Sequence, residues 1–317
     1  MAAKRTVLRQ VVELPVTANC CWEKEMGGDE FCKTYRVRYN KTHEMGIIKS
    51  INIGLVSKAS QKDIDSVWKQ FLADLAILRG LGDSPYVGKP GSLSTTYDRE
   101  VLHVQIPMQP KNLCSFVNSE ERQVLEATQF GRFDFLMRKY IYQIAKGLQH
   151  LHDNRICHQR ICLENILVVN DDEDIVLSDA YFKRSFKFGY LSDSLCWPPE
   201  MFHPNGKHNF STDMYMVGVL LLELLVGERV KARTRGPLSL QPKLLEKYNQ
   251  KMHLQSPKQF KEIVDHLIAE KPDQRWSAKQ LADHLEEGVL AEQGKYRGGL
   301  SAIKKKTANM ADEGKGE

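Results

Sequence analysis

The segment IYQIAKGLQHLHDNRICHQRICLENILV, residues 141–168, decides how this chain folds. Apolar side chains lead into it at the spacing of one helix face, at Leu136, Tyr140, Ile144, Leu148 and Leu151. A polar loop, HQRICLEN at residues 158–165, follows, and after it comes an apolar run typical of a strand. The segment therefore predicts a helix, a polar loop and a strand, in that order.

Outside this segment, the sequence pattern changes from mostly strand-like to mostly helical after about the first third of the chain. YRVRYN at residues 35–40 and GIIKSINI at residues 46–53 are rich in strand formers and enclose turn residues, which predicts a hairpin. Val67, Phe71, Leu75 and Leu78 then recur at helical spacing. Helical patterns dominate after Phe133, including residues 257–270 and residues 277–290, where Ser277 is a suitable N-cap.

Composition narrows the class of protein. Hydrophobic residues make up 42% and charged residues 27% of the 317 residues, as in ordinary globular proteins. The net charge of +5 is spread along the chain, so neither nucleic-acid nor membrane binding is expected. The most apolar run, residues 216–227, is interrupted by Glu223 and falls short of the roughly 20 residues of a membrane helix, so it predicts a buried core helix.

Cysteine usage and the termini bear on location. Seven cysteines without a paired spacing are typical of reduced thiols. The first residues lack the apolar block of a signal peptide. We therefore expect an intracellular protein, in the cytoplasm or the nucleus. The polar, Lys- and Gly-rich residues 291–317 predict a disordered basic tail.

Further motifs follow the opening segment in a recognisable order. They are IVLSDAY at residues 175–181, PPE at residues 198–200, STDMYMVGVLLLELLVG at residues 211–227 and KPDQRWSA at residues 271–278. Together they resemble the eukaryotic protein kinases over roughly residues 11 to 288, as a degenerate member or pseudokinase. The resemblance implies an α+β bilobal fold, with a small β-rich N-lobe at residues 1–108 and a larger helical C-lobe at residues 109–290.

Four residues match positions that maintain the family's fold. The resemblance implies that Glu200 pairs with Arg275 and ties the activation segment to the end of the helical lobe. It also implies that Asp213 anchors the backbone of the catalytic loop and that His158 packs behind it. Since removing one partner of a buried ion pair costs roughly 3–5 kcal/mol, the presence of both Glu200 and Arg275 favours an intact large lobe.

The positions that carry the family's chemistry have changed. Arg160 stands where the family has the carboxylate that takes the proton of the substrate hydroxyl, and a guanidinium has no acceptor. The Arg and the Lys that flank this carboxylate in the family are Gln159 and Cys162. Tyr181 replaces the Gly after Asp179. The resemblance therefore implies no catalytic residue at the base position, unless another carboxylate such as Glu164 serves.

Nucleotide binding is a separate question with two readings. Lys49 matches the family's phosphate-contacting Lys, while Asn165 and Asp179 match its Mg²⁺ ligands, which would suit ATP with Mg²⁺. Alternatively, Lys49 is a solvated strand residue, and Asn165 and Asp179 support turns. Both readings remain open.

Several substitutions disfavour tight nucleotide binding. Only Gly27 remains of the three loop glycines, with Asp29 and Cys32 at the other two positions. Ile47 replaces the small residue that lies against adenine, and such overpacking costs about 1–3 kcal/mol. Asp74, one methylene shorter than the family's Glu, weakens the expected pairing with the strand Lys.

The segment VQIPM, residues 104–108, aligns with the end of the family's nucleotide pocket. We place Gln105 at the gatekeeper position and Met108 at the hinge, where its N–H would meet adenine.

The sequence therefore predicts a catalytically inactive kinase homologue that acts as a protein-binding scaffold or an allosteric regulator in intracellular signalling. Its partner would be a protein, for instance an active kinase or another enzyme. The alternatives are a nucleotide-binding switch and a slow, atypical ATP-dependent kinase or phosphotransferase. Partner identity and oligomeric state are left open by the sequence.

Overall fold

The computed structural model describes most of the chain between Asn19 and Tyr296. The described residues are 19–28, 32–52, 69, 73, 76–78, 80–88, 93–95, 101–106, 111–169, 174–178, 180, 198–202, 206, 208–228, 246–247, 249–250 and 258–296. They belong to two compact units. The first unit contains those up to Gly82 and those from Gly88 to Ile106, and the second contains Asp83–Val87 and those from Lys111 onwards.

The first unit is built on a five-stranded antiparallel sheet. Its strands are β1 (Cys20–Gly28), β2 (Cys32–Tyr39), β3 (Met45–Asn52), β4 (Leu93–Thr95) and β5 (Val101–Ile106), in the order β1-β2-β3-β5-β4. The predicted hairpin is confirmed as β2 and β3. The described residues of the predicted helix after it, Lys69, Ala73 and Ala76–Leu78, are helical.

One face of this sheet has a small aromatic core. Cys20, Val37 and Ile48 are buried, and the rings of Tyr35 and Tyr39 pack against them. A Cβ atom on Gly46 would lie 2.5 Å from the Tyr39 ring, so glycine is required for this close approach.

The second unit combines helices with a small three-stranded sheet. Its helices are α1 (Leu113–Val117), α2 (Glu120–Thr128), α3 (Phe130–Asp153), α4 (Phe210–Val226), α5 (Lys258–Leu267) and α6 (Ala278–Gln293). The sheet has the order β6-β7-β8, with β6 (Lys111–Asn112), β7 (Ile166–Val169) and β8 (Asp174–Leu177). This unit and the sheet of the first give the α+β, protein-kinase-like fold that the resemblance implied.

The predicted helix, loop and strand of the opening segment are all present. The predicted apolar face of α3 is buried along its length. Helix α4 is the predicted core helix and is buried from Thr212 to Val226. Among the described residues, no helix combines the length and the apolar character needed to cross a membrane.

Helix α4 ends at a glycine and is capped by an arginine side chain from α2. Gly227 adopts a left-handed conformation with φ 75°. The buried guanidinium of Arg122 donates hydrogen bonds to the carbonyl oxygens of Leu224 and Leu225, at 2.9 and 3.3 Å. A Cβ atom at Gly227 would lie 2.7 Å from this guanidinium, so the glycine also makes room for the cap. The charge of Arg122 is therefore placed at the negative end of the helix dipole.

The boundary between the two observed units differs from the predicted boundary between the lobes at one segment. Asp83–Val87 was expected in the first lobe but belongs to the second unit. The reason is a backbone connection to β8, in which the N–H of Leu177 donates to the carbonyl of Tyr86 at 2.8 Å. Gly147 of α3 permits this approach, since a Cβ there would lie 2.7 Å from the Leu177 side chain.

The predicted start of the disordered tail is wrong by a few residues. Helix α6, capped by Ser277 as predicted, continues to Gln293 and is followed by a turn to Tyr296. The Tyr296 ring stacks on Phe135 at 5.0 Å, and Glu292 pairs with Arg138 at 3.2 Å. These contacts across α3 hold residues 291–296 in place. Residues 297–317 lie outside the described part of the chain.

Candidate functional site

Asp213 anchors the loop between α3 and β7, as the resemblance implied. One carboxylate oxygen accepts a hydrogen bond from the backbone N–H of His158 and the other from that of Gln159, both at 2.7 Å. Asp213 is fully buried, at the start of α4. Gln159 has φ 66°, a strained conformation for a residue with a side chain, and these bonds help to hold it. The backbone of the loop is thus rigidly fixed.

His158 lies behind the loop and is fully buried. Burial lowers its pKa to about 4, although the charge of Asp213 acts in the opposite direction. The ring is therefore neutral near pH 7, and its Nδ1 atom accepts the backbone N–H of Arg160 at 3.3 Å. His158 also interacts with the backbone of Ser178, next to Asp179. Among the described residues, His158 thus connects the loop of residues 158–165 to Ser178, which follows β8.

Arg160 occupies the position that the resemblance assigns to the catalytic base. Its carbonyl oxygen accepts a hydrogen bond from the side chain of Asn165 at 2.9 Å, and its side chain is partly buried. Its charge reaches the loop interior, since it acts to lower the pKa of both His158 and Cys162. A guanidinium is protonated and offers only donors, so Arg160 cannot take a proton from a hydroxyl.

Cys162 replaces the family's lysine with a neutral group. Burial, together with the charge of the neighbouring Glu164 and a hydrogen bond from the thiol to Glu164, raises the pKa of the Cys162 thiol to about 12. Cys162 therefore supplies neither a positive charge for a phosphate nor a thiolate nucleophile. The carboxylate of Glu164, the alternative base, is engaged with this thiol.

Asn165 is buried and supports the loop through its amide. Its Nδ2 atom donates to the carbonyl of Arg160, and its own carbonyl accepts from the N–H and the hydroxyl of Ser178, at 2.9 and 3.1 Å. The turn-supporting role considered for Asn165 is therefore present. A metal would use the remaining amide oxygen, together with Asp179. Asp179 itself lies outside the described residues.

Lys49 and Gly27 belong to the first unit. Lys49 lies on β3 opposite Thr34 of β2 and Val104 of β5, and it is partly buried. Ile47, two residues earlier on the same face, is 4% exposed. Gly27 has φ 143°, which favours glycine, and a Cβ there would meet no atom within 4 Å. By the resemblance, Lys49 and Gly27 would face the phosphates of a nucleotide. Ile47 would narrow the space for its base.

The assignment of Gln105 as gatekeeper is wrong. Gln105 pairs with Ile48, whereas Lys49 pairs with Val104 and Ile47 with Ile106. Since successive residues of a strand point to opposite faces, Gln105 lies on the face away from Lys49. Ile106 holds the register position on the same face as Ile47. Asp29, Asp74 and Met108 lie outside the described residues, and so does Tyr181.

Glu200 and Arg275 form the expected ion pair. Arg275 donates through two nitrogens to the two carboxylate oxygens, at 2.7 and 2.8 Å, in a bidentate arrangement. Its remaining donors reach the carbonyls of Ala269, Glu270 and Ser211. Burial alone would raise the pKa of Glu200, but the hydrogen bonds and charge of Arg275 lower it below its usual value. This pair ties the residues before α4 to those before α6.

His152 belongs to the same anchor and was missed from sequence. Its Nε2 atom lies 3.0 Å from the carboxylate of Asp213, and its ring stacks on Phe210 at 4.5 Å. The available signal was a histidine in the last turn of the predicted helix, six residues before His158. In the described residues there is no group of three or more His, Cys, Asp or Glu side chains arranged to hold a metal ion.

Comparison of the sequence with known proteins agrees with this fold. A family model described as protein kinase domain matches residues 22–285. Serine/threonine-protein kinase PLK1 of Xenopus laevis is 25% identical over 208 residues, which cover 64% of this chain and 32% of that kinase. Aurora kinase of Schizosaccharomyces pombe is 32% identical over 150 residues, covering 46% of this chain and 41% of the kinase.

A plant protein, serine/threonine-protein kinase AtPK1/AtPK6 of Arabidopsis thaliana, is 29% identical over 221 residues, covering 68% of this chain and 43% of the kinase. The aligned part thus spans less than half the length of each of these three relatives.

Proposed function

We propose that this chain, which belongs to the protein kinase family, is a member without phosphotransfer activity that acts by binding a protein partner. The observation that carries the proposal is Arg160, a cation fixed at the position of the proton acceptor. The loop around it is intact, because Asp213, His158 and Asn165 hold its backbone. The hydrogen bonds that hold the loop are present while the group needed for the reaction is changed.

The expected loss of phosphotransfer rate depends on more than one residue. A general base contributes about 10²–10⁴ in rate, so its loss alone would leave slow turnover from a typical kinase rate of ~1–100 per second. A second change lies in the same loop, where the neutral thiol of Cys162 replaces the family's lysine and removes a positive charge. These two changes in one loop support an inactive rather than a slow protein.

The proposed role is that of a scaffold or an allosteric regulator in signalling, in the cytoplasm or the nucleus. The partner would be a protein, such as an active kinase or another enzyme. The modest net charge of +5 supports this choice over a nucleic acid or a membrane surface. The proposal departs from the relatives, which carry the names of serine/threonine kinases.

A nucleotide-binding switch is the second candidate. It is favoured by Lys49, which remains on β3 at the position of the phosphate-contacting lysine, and by the amide oxygen of Asn165. ATP with Mg²⁺ would supply phosphate groups whose binding changes the affinity for a partner, without turnover. The buried Ile47 opposes this candidate because it lies on the same strand face as Lys49.

Transfer of labelled phosphate from ATP to generic protein substrates tests the proposal. We expect no transfer above background for the wild-type chain, because Arg160 cannot accept the proton of the hydroxyl. Two variants are measured beside it, Lys49→Ala and the control Lys41→Ala, which removes an exposed lysine in the turn before β3. Transfer that disappears in Lys49→Ala but persists in Lys41→Ala would identify an active enzyme and overturn the proposal.

A further inference from the structure

We infer that one face of the hairpin formed by β1 and β2, the face that carries Lys24, Arg36 and Arg38, docks an acidic, extended segment of a protein partner. Together with the carboxylate of Glu23, these three cations form what we call the basic face. The inference rests on the proposed function, because it gives the docking surface and the charge of the partner that the chain is proposed to bind.

The pairing of the two strands brings the three cations together. Lys24 of β1 lies directly opposite Arg36 of β2, so the two side chains share one face of the sheet. Arg38 lies two residues further along β2 and therefore points to the same face as Arg36. The register between β1 and β2 shifts between Trp22 and Lys24. Glu23 is the extra residue of this irregularity and reaches both arginines.

Glu23 orients the two arginines and leaves some of their donors unused. Its Oε2 atom lies 3.3 Å from Nε of Arg36, and its Oε1 atom lies 2.7 Å from both Nε and Nη2 of Arg38. The side chains of Arg36 and Arg38 are nevertheless 44% and 53% exposed, against 21% for Glu23. Within the described part of the chain, no second carboxylate pairs with either arginine. Their remaining N–H groups are therefore accessible to a carboxylate of a partner.

The charges of the basic face are not balanced, in contrast to those on the opposite face of the same hairpin. Three cations share the one carboxylate of Glu23, and Lys24 forms no ion pair with a described residue. On the opposite face, Lys33 and Glu25 form a one-to-one pair at 3.1 Å. Like charges directly opposite each other on neighbouring strands destabilise a sheet. A carboxylate that arrives between Lys24 and Arg36 would offset this repulsion.

The spacing of the cations selects the form of the acidic segment. Arg36 and Arg38 are two residues apart on an extended strand, which separates their Cα atoms by roughly 6.8 Å. An extended partner segment places every second side chain on one face at the same interval, so aspartate or glutamate at alternate positions matches this spacing. The two guanidinium groups already bind one carboxylate, that of Glu23, and planar guanidinium groups suit this group. The same carboxylate would repel the phosphates of a nucleic acid.

Fluorescence anisotropy with the full-length chain tests the inference. The probe is a labelled peptide of alternating glutamate and threonine. One comparison peptide has the same composition with its glutamates consecutive, and another has glutamine in place of glutamate. We expect the alternating acidic peptide to bind most tightly and the glutamine peptide to bind least.

Two substitutions on the basic face should change this affinity in opposite directions. Lys24→Gln removes a cation and leaves the contacts of Glu23 in place, so it should weaken binding by about 2- to 5-fold, as expected for one exposed ion pair. Glu23→Gln removes the carboxylate that competes for the arginines, so it should strengthen binding by a similar factor.

Lys33→Gln is the matched control. It removes the same charge from an exposed lysine of the same hairpin, but on the opposite face. We expect it to change the affinity by less than about 1.5-fold at roughly 0.15 M salt, where charges more than about 8 Å apart are largely screened. Equal losses in Lys33→Gln and Lys24→Gln would indicate non-specific attraction to a positively charged protein and would overturn the inference.

Three other outcomes also overturn it. One is equal affinity for the alternating and the consecutive peptide, including no binding of either. Another is weaker binding by Glu23→Gln. The third is displacement of the peptide by ATP or by a single-stranded oligodeoxythymidylate at equal concentration, which would assign the cations to a nucleotide or a nucleic acid. The phosphate-transfer assay is independent of these results: turnover by the wild type would remove the proposed function without changing the peptide affinities.

Discussion

The loop of residues 158–165 has an inner side and an outer side. They differ in whether the residues typical of the family are still present. On the inner side, the fully buried Asp213 accepts two backbone N–H groups of the loop and faces His152. On the outer side, the partly exposed Arg160 replaces a residue of the family's reaction. The polar groups that hold the backbone are thus complete, while those that would act on a substrate are changed.

The two sides differ because substitutions on them cost different amounts of stability. A buried carboxylate that satisfies several donors cannot be replaced without leaving those donors unpaired, at about 1–3 kcal/mol each. A partly exposed side chain such as that of Arg160 has a smaller penalty, since water can solvate a new group. A substitution at a partly exposed position can therefore remove a reaction while the fold remains as it was.

The largest expected effect is on the inner side, in Asp213→Ala. The variant leaves the N–H groups of His158 and Gln159 buried without an acceptor, so we expect its free energy of unfolding to fall by about 3–5 kcal/mol. Chemical denaturation followed by circular dichroism measures this. Asp153→Ala, at an exposed aspartate at the end of α3, is the control and should stay within about 0.5 kcal/mol of the wild type. A similarly small loss in Asp213→Ala would show that the anchor is not required.

Acid should weaken the same inner side through His158. Its pKa is about 4 in the folded chain against about 6.5 in the unfolded chain, so the unfolded chain binds more protons between these values. Stability is therefore fully present above pH 6.5 and falls as the pH decreases towards 4. The gap corresponds to about 3 kcal/mol.

Unfolding midpoints measured between pH 7 and pH 4 test this dependence. His158→Gln removes the titrating group and should flatten the profile, even if its stability at pH 7 is lower. His43→Gln, at an exposed histidine in the β2–β3 turn, should leave the slope unchanged. Identical slopes in the wild type and in His158→Gln would mean that His158 is not held neutral in the folded chain.

The sequence was most informative about polar residues that hold the fold. Asp213, Glu200 and Arg275 were assigned through the resemblance to the protein kinases, and their contacts agree with that assignment. The buried helices α3 and α4 followed from helical periodicity and from an apolar run interrupted only by Glu223. The two helices depend on short-range pattern, which a single sequence contains.

What could not be predicted depends on contacts between distant residues. His152 meets Asp213 across 61 positions of sequence, and Tyr296 meets Phe135 across an even longer separation. Gln105 was misplaced because a shift of one residue in strand register moves a side chain to the other face of the sheet. Asp179 and Met108, which were also assigned to the site, lie outside the described residues and stay predictions.

The smallest expected effect is on nucleotide binding. We expect millimolar ATP with Mg²⁺ to raise the melting temperature of the wild type only slightly, because Ile47 is buried on the strand face that carries Lys49. Overpacking at this position would reduce affinity roughly 5- to 150-fold, and a ligand present at its dissociation constant stabilises the fold by only about 0.4 kcal/mol.

Ile47→Ala should increase this ATP-dependent shift, since it restores the smaller side chain of the family. Ile51→Ala makes the same chemical change on the same face of β3, four residues further on, and should not increase the shift even though it also removes buried apolar volume. Isothermal titration calorimetry on the wild type supplies the decisive measurement. A dissociation constant in the low micromolar range would show that a nucleotide is held despite Ile47, and the chain would then be better described as a nucleotide-binding switch than as a scaffold.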